Sequence, residues 1–134
     1  MNLTGKACLI TGGSGGIGSA TAIALARRGA DVAITSLPTD TELIESVKTT
    51  VENAGSRCIA FTGNIGDPEE ASRCVEGTAA AFGRLDVLIH CAGGPVPGGL
   101  MEVSPEAWHR MVVENDFITG EVVAIDGGMT MRIV

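Results

Sequence analysis

The segment KACLITGGSGGIG, Lys6 to Gly18, contains the features that decide the fold. Its first six residues form a short apolar run that ends in glycines, which is typical of a buried strand in a parallel sheet. A helix is predicted to follow from about Gly16 to Arg28, with Gly29 as its stop. Glycines let the backbone approach a phosphate group, which the free N–H groups at the helix start can bind. Thr11 to Gly18, the glycine loop, therefore predicts a dinucleotide site, with a turn that binds no ligand as the alternative.

Strands and helices alternate along the rest of the chain. Further strands are predicted at 31–36, 56–64 and 85–93, and further helices begin near Pro38, Asp67 and Ser104. Alternation of this kind predicts an α/β fold with a doubly wound parallel sheet that helices cover on both faces. With a last strand at Glu121 to Asp126, we expect about five strands in the order 3-2-1-4-5. We expect them to form a single domain that spans residues 1–134.

The third helix has the clearest end signals. Asp67 is predicted as its N-cap, Pro68 as its first residue, Glu70 as the partner in a capping box, and Gly83 as its stop. Apolar residues spaced about four apart predict the buried faces of the second and third helices. These residues are Leu43, Val47 and Val51 on the second helix, and Ala71, Val75, Ala79 and Phe82 on the third.

Composition excludes several classes of protein. Hydrophobic residues make up 45% of the chain and charged residues 19%, which indicates a globular rather than a disordered chain. The formal net charge is -7, and no run of Lys or Arg forms a patch for nucleic acid. No apolar run is long enough to span a bilayer, and the segment MNLTGKACLITGG lacks the features of a targeting signal. We therefore expect a cytoplasmic protein with no nucleic-acid or membrane partner.

The four cysteines are Cys8, Cys58, Cys74 and Cys91. They show no CxxC or CxxH spacing, and three of them lie in apolar, strand-like runs. We expect all four to be reduced residues of the core, and we predict no metal site.

Four segments together resemble the short-chain dehydrogenase/reductase family: the glycine loop, LDVLIHCAGG at 85–94, SPEAWHRMVVEN at 104–115, and FITGEVVAIDGGMT at 117–130. The resemblance covers essentially the whole chain. It implies a Rossmann-type fold and an oxidoreductase that transfers hydride between NAD(P)H and an alcohol or ketone. The cofactor-binding residues that it implies lie in the glycine loop and near the ends of the next three strands: Gly12, Ser14, Gly15, Gly16, Ile17, Gly18, Ser36, Asn64, Ile65, Cys91, Ala92 and Gly93.

Several of these positions depart from the family pattern. Cys91 stands where the family usually has asparagine, and Asn64 stands where an aspartate usually meets the adenine. Ser36 bears on the choice of cofactor, because an acidic residue at the end of the second strand would repel the 2'-phosphate of NADP. Ser36 and Leu37 carry no charge, and no Arg follows to attract the phosphate. The sequence therefore favours NADP over NAD, and it does so only because this carboxylate is missing.

Only one residue matches the family's catalytic tetrad. The resemblance gives Asn115 a place in a water-linked proton path, whereas the alternative is an ordinary polar residue in the last turn of a helix. Family members continue through a segment with a serine and a Tyr-x-x-x-Lys pair. Here the segment that resembles their last strand follows almost directly after Asn115, and this junction, near 115–118, is called the seam. The chain contains no tyrosine to pass a proton to or from the substrate oxygen. His90 and His109 are expected to be structural. We therefore predict that the chain as written does not catalyse carbonyl reduction by the family's mechanism.

Three interpretations of the seam stay open. The chain is an internally deleted relative that binds a dinucleotide, a complete NAD(P)-dependent oxidoreductase with a segment omitted between Asn115 and Phe117, or a structural or interaction protein. An intact mass of 13.6 kDa would exclude the second of these. In the shortened chain, an unpaired strand edge and the apolar tail MTMRIV would be exposed, so we expect a homo-oligomer.

Overall fold

The computed structural model describes residues 2–93 and 102–107. The chain divides into two units, Met1–Gly93 and Gly94–Val134. In the second unit, residues 105–107 are helical and the N–H of Ala107 donates to Ser104 Oγ at 3.1 Å. This hydrogen bond confirms the predicted helix start at Ser104.

The first unit contains a parallel sheet of four strands. They are β1 (Ala7–Thr11), β2 (Asp31–Ser36), β3 (Cys58–Thr62) and β4 (Val87–His90), in the spatial order β3-β2-β1-β4. This order confirms the α/β fold and the predicted positions of the first four strands. The predicted fifth strand, residues 121–126, lies outside the described residues.

Three α-helices connect these strands: α1 (Gly16–Ala26), α2 (Thr41–Asn53) and α3 (Pro68–Phe82). α1 ends two residues earlier than predicted. The N–H groups of Arg28 and Gly29 donate to carbonyls three residues back, and Gly29 adopts a left-handed φ of 88°. α2 begins later than predicted, because Pro38–Asp40 forms a separate 3-10 turn.

Helices pack on both faces of the sheet. On one face, α1 and α2 contribute to a cluster with β1 and β2 that contains Ile10, Ala22, Ala26, Val32, Ile34, Ile44 and Val51. On the other face, Cys74 of α3 packs with Leu9 and Ala33, beside half-buried Phe61 and Phe82. The sheet is therefore doubly wound, as the sequence predicts.

The predicted buried faces of α2 and α3 are partly wrong. Leu43 is 58% exposed, while Ile44 is buried beside the core. On α3, Val75 is 40% exposed, while Cys74 and Thr78 are buried. Thr78 tolerates burial because its hydroxyl donates to the Cys74 carbonyl at 2.7 Å. On each helix the buried face thus includes a residue adjacent in sequence to a predicted one: Ile44 beside Leu43 on α2, and Cys74 beside Val75 on α3.

The ends of α3 agree with the sequence in all but one feature. Asp67 accepts a hydrogen bond from the N–H of Glu69 at 2.9 Å, Pro68 opens the helix, and Gly83 stops it with a φ of 77°. The capping box is wrong. Glu70 pairs with Arg73, and the Asp67 N–H donates to a carbonyl.

Three of the cysteines, Cys8, Cys58 and Cys74, are free and buried, as predicted. Cys91 is free as well, but it is only half-buried, just after β4. Across residues 2–93 and 102–107, no helix is long and apolar enough to cross a membrane.

Candidate functional site

The first two glycines of the glycine loop pack against neighbouring strands. Gly12 has a φ of 68°, a left-handed conformation that favours glycine. A β-carbon there would lie 2.7 Å from the Ala92 nitrogen. A β-carbon on Gly13 would lie 2.6 Å from Cβ of Ile34. Contacts within the protein therefore require glycine at both positions.

Two buried threonines hold the glycine loop between the ends of β2 and β4. The N–H of Gly13 donates to the Thr35 carbonyl at 2.7 Å, and that of Gly12 reaches Thr35 Oγ1 at 3.4 Å. On the opposite side, Thr11 Oγ1 accepts from the N–H of Ala92 at 3.2 Å. The Thr11 carbonyl accepts from the N–H of Cys91 at 3.0 Å. The loop, which continues β1, is thus fixed to β2 on one side and to the residues after β4 on the other.

The start of α1 presents an open face suited to an anion. Gly15 is the N-cap residue and provides no side-chain cap, and the first turn contains no acidic residue. The first N–H groups of a helix have no partner within it. Among the described residues, nothing lies within 4 Å of a β-carbon built on Gly16, and the neighbouring Ile17 is 78% exposed. No contact within the described part of the chain explains glycine at position 16, whereas a phosphate against the backbone would.

Gly18 has a different role. A β-carbon on Gly18 would collide with the carbonyl oxygen of Gly12, so glycine here lets α1 pack closely on the loop. The glycine loop therefore combines a tight turn, an open face and a close helix contact. These are the three features by which a glycine loop accommodates the pyrophosphate of a dinucleotide, and the residues present fit that group.

Ser14 contacts an acidic side chain that the sequence analysis did not single out. Its hydroxyl donates to Asp40 Oδ2 at 3.2 Å, across a separation of 26 residues. Ser36, the residue predicted to bear on the cofactor choice, is buried, and its hydroxyl donates to the Leu37 carbonyl at 3.1 Å. The acidic side chain that contacts the loop is thus that of Asp40.

The residues after β3 form a turn. Asn64 Oδ1 accepts from the N–H of Gly66 at 3.1 Å, and the Asn64 carbonyl accepts from the N–H of Asp67 at 2.9 Å. Ile65 is half-buried against the cluster that contains Leu9 and Cys74. The cofactor-binding roles of Asn64 and Ile65 stay predictions.

The residues after β4 lie beside the glycine loop through their backbones. Cys91 is half-buried and packs against the core cluster, whereas Ala92 and Gly93 are exposed. β4 pairs with β1 in a register that places His90 opposite Thr11. The structure therefore brings the glycine loop and the predicted segment 91–93 together at the carboxyl ends of β1 and β4.

The predicted catalytic remnant, Asn115, lies outside the described residues, as does His109. Within residues 2–93 and 102–107, no group of three or more His, Cys, Asp or Glu side chains could hold a metal ion. The site described by the structure is thus a set of hydrogen-bond donors and glycines at the start of a helix. Its chemistry is that of binding an anionic ligand.

Sequence reasoning missed Thr35 and Asp40. A signal existed for Thr35, because it is a polar residue near the end of an otherwise apolar strand, next to Ser36. Asp40 gave no such signal, since an acidic residue in the first turn of the predicted second helix is ordinary. Its contact with Ser14 depends on tertiary structure.

Comparisons with known proteins agree with this geometry. A family model described as short chain dehydrogenase matches residues 6–125. General stress protein 39 of Bacillus subtilis is 38% identical over 114 residues, which cover 84% of this chain and 40% of that protein.

Two solved structures are similar to this chain as well. A short chain dehydrogenase from Burkholderia cenocepacia in complex with NADP is 40% identical with a TM-score of 0.74, and the match covers 80% of this chain and 43% of that one. A short chain dehydrogenase from Mycobacterium paratuberculosis bound to NAD is 28% identical with a TM-score of 0.73, covering 81% and 44%. In each of these comparisons the chain spans less than half of the other protein's length.

Proposed function

The chain belongs to the short chain dehydrogenase family, and from that membership we propose that it binds NAD or NADP at the glycine loop. The observation that carries the proposal is the open face at Gly16. The N–H groups of the first turn of α1 would hold the pyrophosphate, and exposed Ile17 would lie beside it. The bound dinucleotide would supply hydride-transfer chemistry, while the protein supplies binding and orientation.

As part of this proposal, the chain in its written form does not reduce carbonyl compounds by the mechanism that the resemblance implies. That mechanism requires a tyrosine to move a proton at the substrate oxygen, and the chain contains none. The readout is oxidation of NADH or NADPH by the purified protein with a panel of ketones. Turnover that scales with protein concentration, at the mass of the written chain, would contradict this part.

A second candidate is a complete NAD(P)-dependent oxidoreductase whose sequence contains a further segment near 115–118. The observation that favours it is that the match to General stress protein 39 covers only 40% of that protein. Intact mass spectrometry distinguishes the candidates, since the written chain has a mass of 13.6 kDa. A larger mass with a tyrosine-containing peptide would favour the complete enzyme.

Association between copies also belongs to the proposal. On β4, Leu88 is 45% exposed. Exposed apolar surface of this kind favours contact with another chain. Light scattering on the purified protein measures the mass in solution, and a monomer at all concentrations would contradict a homo-oligomer. A cytoplasmic location stays a prediction from the sequence.

Calorimetric titration with NADH and NADPH tests the binding itself. Gly16→Asp places a carboxylate where the pyrophosphate would lie, so we expect binding to be lost. Helix formation should not suffer, because an acidic residue in the first turn interacts favourably with the helix dipole.

Ala20→Asp is the matched control, since it adds the same charge to an exposed position one turn later in α1. We expect this variant to keep most of the affinity. Equal affinity of the wild type and Gly16→Asp would contradict a pyrophosphate site at this helix start. So would a wild-type protein that binds neither dinucleotide.

A further inference from the structure

We propose that Asp40 is the residue that selects between the two dinucleotides, and that it favours NAD over NADP. The inference rests on the proposed function, because it assumes a dinucleotide at the glycine loop. It reverses the preference for NADP that the uncharged Ser36 suggests in the sequence.

The position of the Asp40 side chain is the first observation. Asp40 occupies the N-cap position of α2, yet its side chain makes no capping hydrogen bond to that helix. Aspartate at an N-cap ordinarily accepts a bond from the N–H groups of its own first turn. Here the carboxylate instead accepts from the hydroxyl of Ser14 at Oδ2 and from the hydroxyl of its chain neighbour Thr39 at Oδ1, each at 3.2 Å. The 3-10 turn Pro38–Asp40 thus returns the chain toward the glycine loop after β2.

The surroundings of Ser36 are the second observation. Ser36 is only 4% exposed and its hydroxyl donates to the Leu37 carbonyl. Its side chain therefore presents little surface to a ligand. The acidic group that a dinucleotide fold often places near the end of the second strand is supplied by Asp40, four residues later in the sequence.

Charge is the third observation. A phosphate monoester carries about -1.5 to -2 charges near neutral pH, and like charges at close range repel. Five of the basic residues in the described part of the chain form ion pairs with other acids: Lys6, Lys48, Arg57, Arg73 and Arg84. Arg27 and Arg28 follow the last turn of α1, at the end opposite to the glycine loop. In the described structure, none of these seven forms an ion pair with Asp40.

These three observations give Asp40 a defined effect. A ribose with free hydroxyls can donate to the Asp40 carboxylate, whereas a ribose with a 2'-phosphate meets its negative charge. We expect the wild type to bind NADH about tenfold or more tightly than NADPH at low salt. Since salt screens this repulsion, the ratio should shrink as ionic strength rises.

The test compares dissociation constants for NADH and NADPH in the wild type and three variants. Asp40→Asn keeps the shape and removes the charge, so NADPH should bind about tenfold more tightly while NADH changes little or weakens. Ser14→Ala frees the carboxylate from the loop and should reduce the preference for NADH. Glu42→Gln removes one charge from the first turn of α2 and serves as the matched control. It should leave the ratio unchanged.

Folding can be checked independently, because Asp40 does not cap α2 and the thermal unfolding of Asp40→Asn should match that of the wild type. Tighter binding of NADPH than of NADH by the wild type would overturn the inference alone. So would an affinity ratio in Asp40→Asn equal to the wild-type ratio. A wild type that binds neither dinucleotide would overturn the proposed function, and the inference with it.

Discussion

Gly12 lies so close to Ala92 that a β-carbon on the glycine would come within 2.7 Å of the Ala92 nitrogen. The two residues are 80 positions apart in the sequence, and they belong to the loops that follow β1 and β4. Their contact joins the glycine loop to the segment after the fourth strand. It also makes the position intolerant of any side chain.

Gly12→Ala should destabilise the protein strongly. The substitution places a β-carbon in a left-handed conformation with a φ of 68°, and it forces the Cys91–Ala92 backbone to move. We expect a loss of roughly 2 to 4 kcal/mol in the free energy of unfolding, from strain and overpacking together. Urea denaturation measures this loss in the free energy of unfolding.

Gly5→Ala distinguishes the effect of backbone strain from the effect of the steric clash with Ala92. Gly5 has a φ of 77°, but a β-carbon there would meet nothing within 4 Å among the residues that the structure describes. Only the backbone strain should remain, at about 1 to 2 kcal/mol. Equal losses for Gly5→Ala and Gly12→Ala would show that the contact with Ala92 is unimportant.

Thr11→Val should loosen the segment after β4. The substitution keeps the shape of the side chain but removes the Oγ1 atom that accepts the N–H of Ala92 at 3.2 Å. Loss of an acceptor for a partly buried N–H group costs about 1 to 3 kcal/mol. Dinucleotide affinity should fall as well, because this hydrogen bond fixes the glycine loop against the residues after β4. Denaturation and calorimetric titration give the two readouts.

Thr49→Val is the control for Thr11→Val. The Thr49 hydroxyl donates to the Glu45 carbonyl on the exposed side of α2, far from the glycine loop in sequence. An exposed change of this kind alters stability by within about 0.5 kcal/mol. If both variants bind the dinucleotide as the wild type does, Thr11 does not position the loop.

Local signals in the sequence determine much of this fold. The run DVAITS predicts β2, and the structure has it at the same residues, Asp31–Ser36. Asp67, Pro68 and Gly83 predict the ends of α3 because each acts on the backbone within one turn. The order of the first four strands follows from alternation and crossover rules.

Features that depend on tertiary packing could not be predicted in the same way. Leu43 and Ile44 are adjacent and almost equally apolar, so only the docking angle of α2 decides which of them is buried. Thr78 is buried although it is polar, because the Cys74 carbonyl satisfies its hydroxyl. The Ser14–Asp40 contact joins residues 26 positions apart and required the three-dimensional structure.

Asp86 should make the protein less stable in acid. Arg84, the N–H of Ala7 and Lys6 all donate to its carboxylate, and they hold the pKa of Asp86 well below its ordinary value. A carboxylate with a lowered pKa stabilises the folded state above the pKa that it has when unfolded, about 3.9. That contribution is lost progressively as the pH falls below about 4. Denaturation at a series of pH values measures the slope.

Two variants test the origin of this acid sensitivity. Asp86→Asn removes the titrating group, and Arg84→Gln removes the partner with the largest effect on its pKa. Both variants should show a shallower loss of stability than the wild type below about pH 4. A slope equal to that of the wild type in Asp86→Asn would mean that other groups cause the acid unfolding.

Thiol labelling should distinguish Cys91 from the other three cysteines. Burial raises the pKa of Cys58 to about 12, and burial likewise raises the pKa values of Cys8 and Cys74. The thiolate is the reactive form, so these three thiols should react slowly in the folded protein. Cys91 is half-buried next to the glycine loop and should react first. Mass spectrometry of digested protein after brief labelling identifies the modified residue.

A dinucleotide should slow the labelling of Cys91. The backbone of Cys91 lies against Gly12, at the carboxyl ends of the strands where the cofactor would bind. Unfolding in denaturant should expose all four cysteines and provide the reference for complete labelling. Cys91→Ser is the control, since it should abolish the fast phase in the folded protein while leaving the slow phase. Fast labelling of Cys58 would contradict its buried position at the start of β3. Equal labelling rates of Cys91 with and without saturating NADH would place the cofactor away from the end of β4.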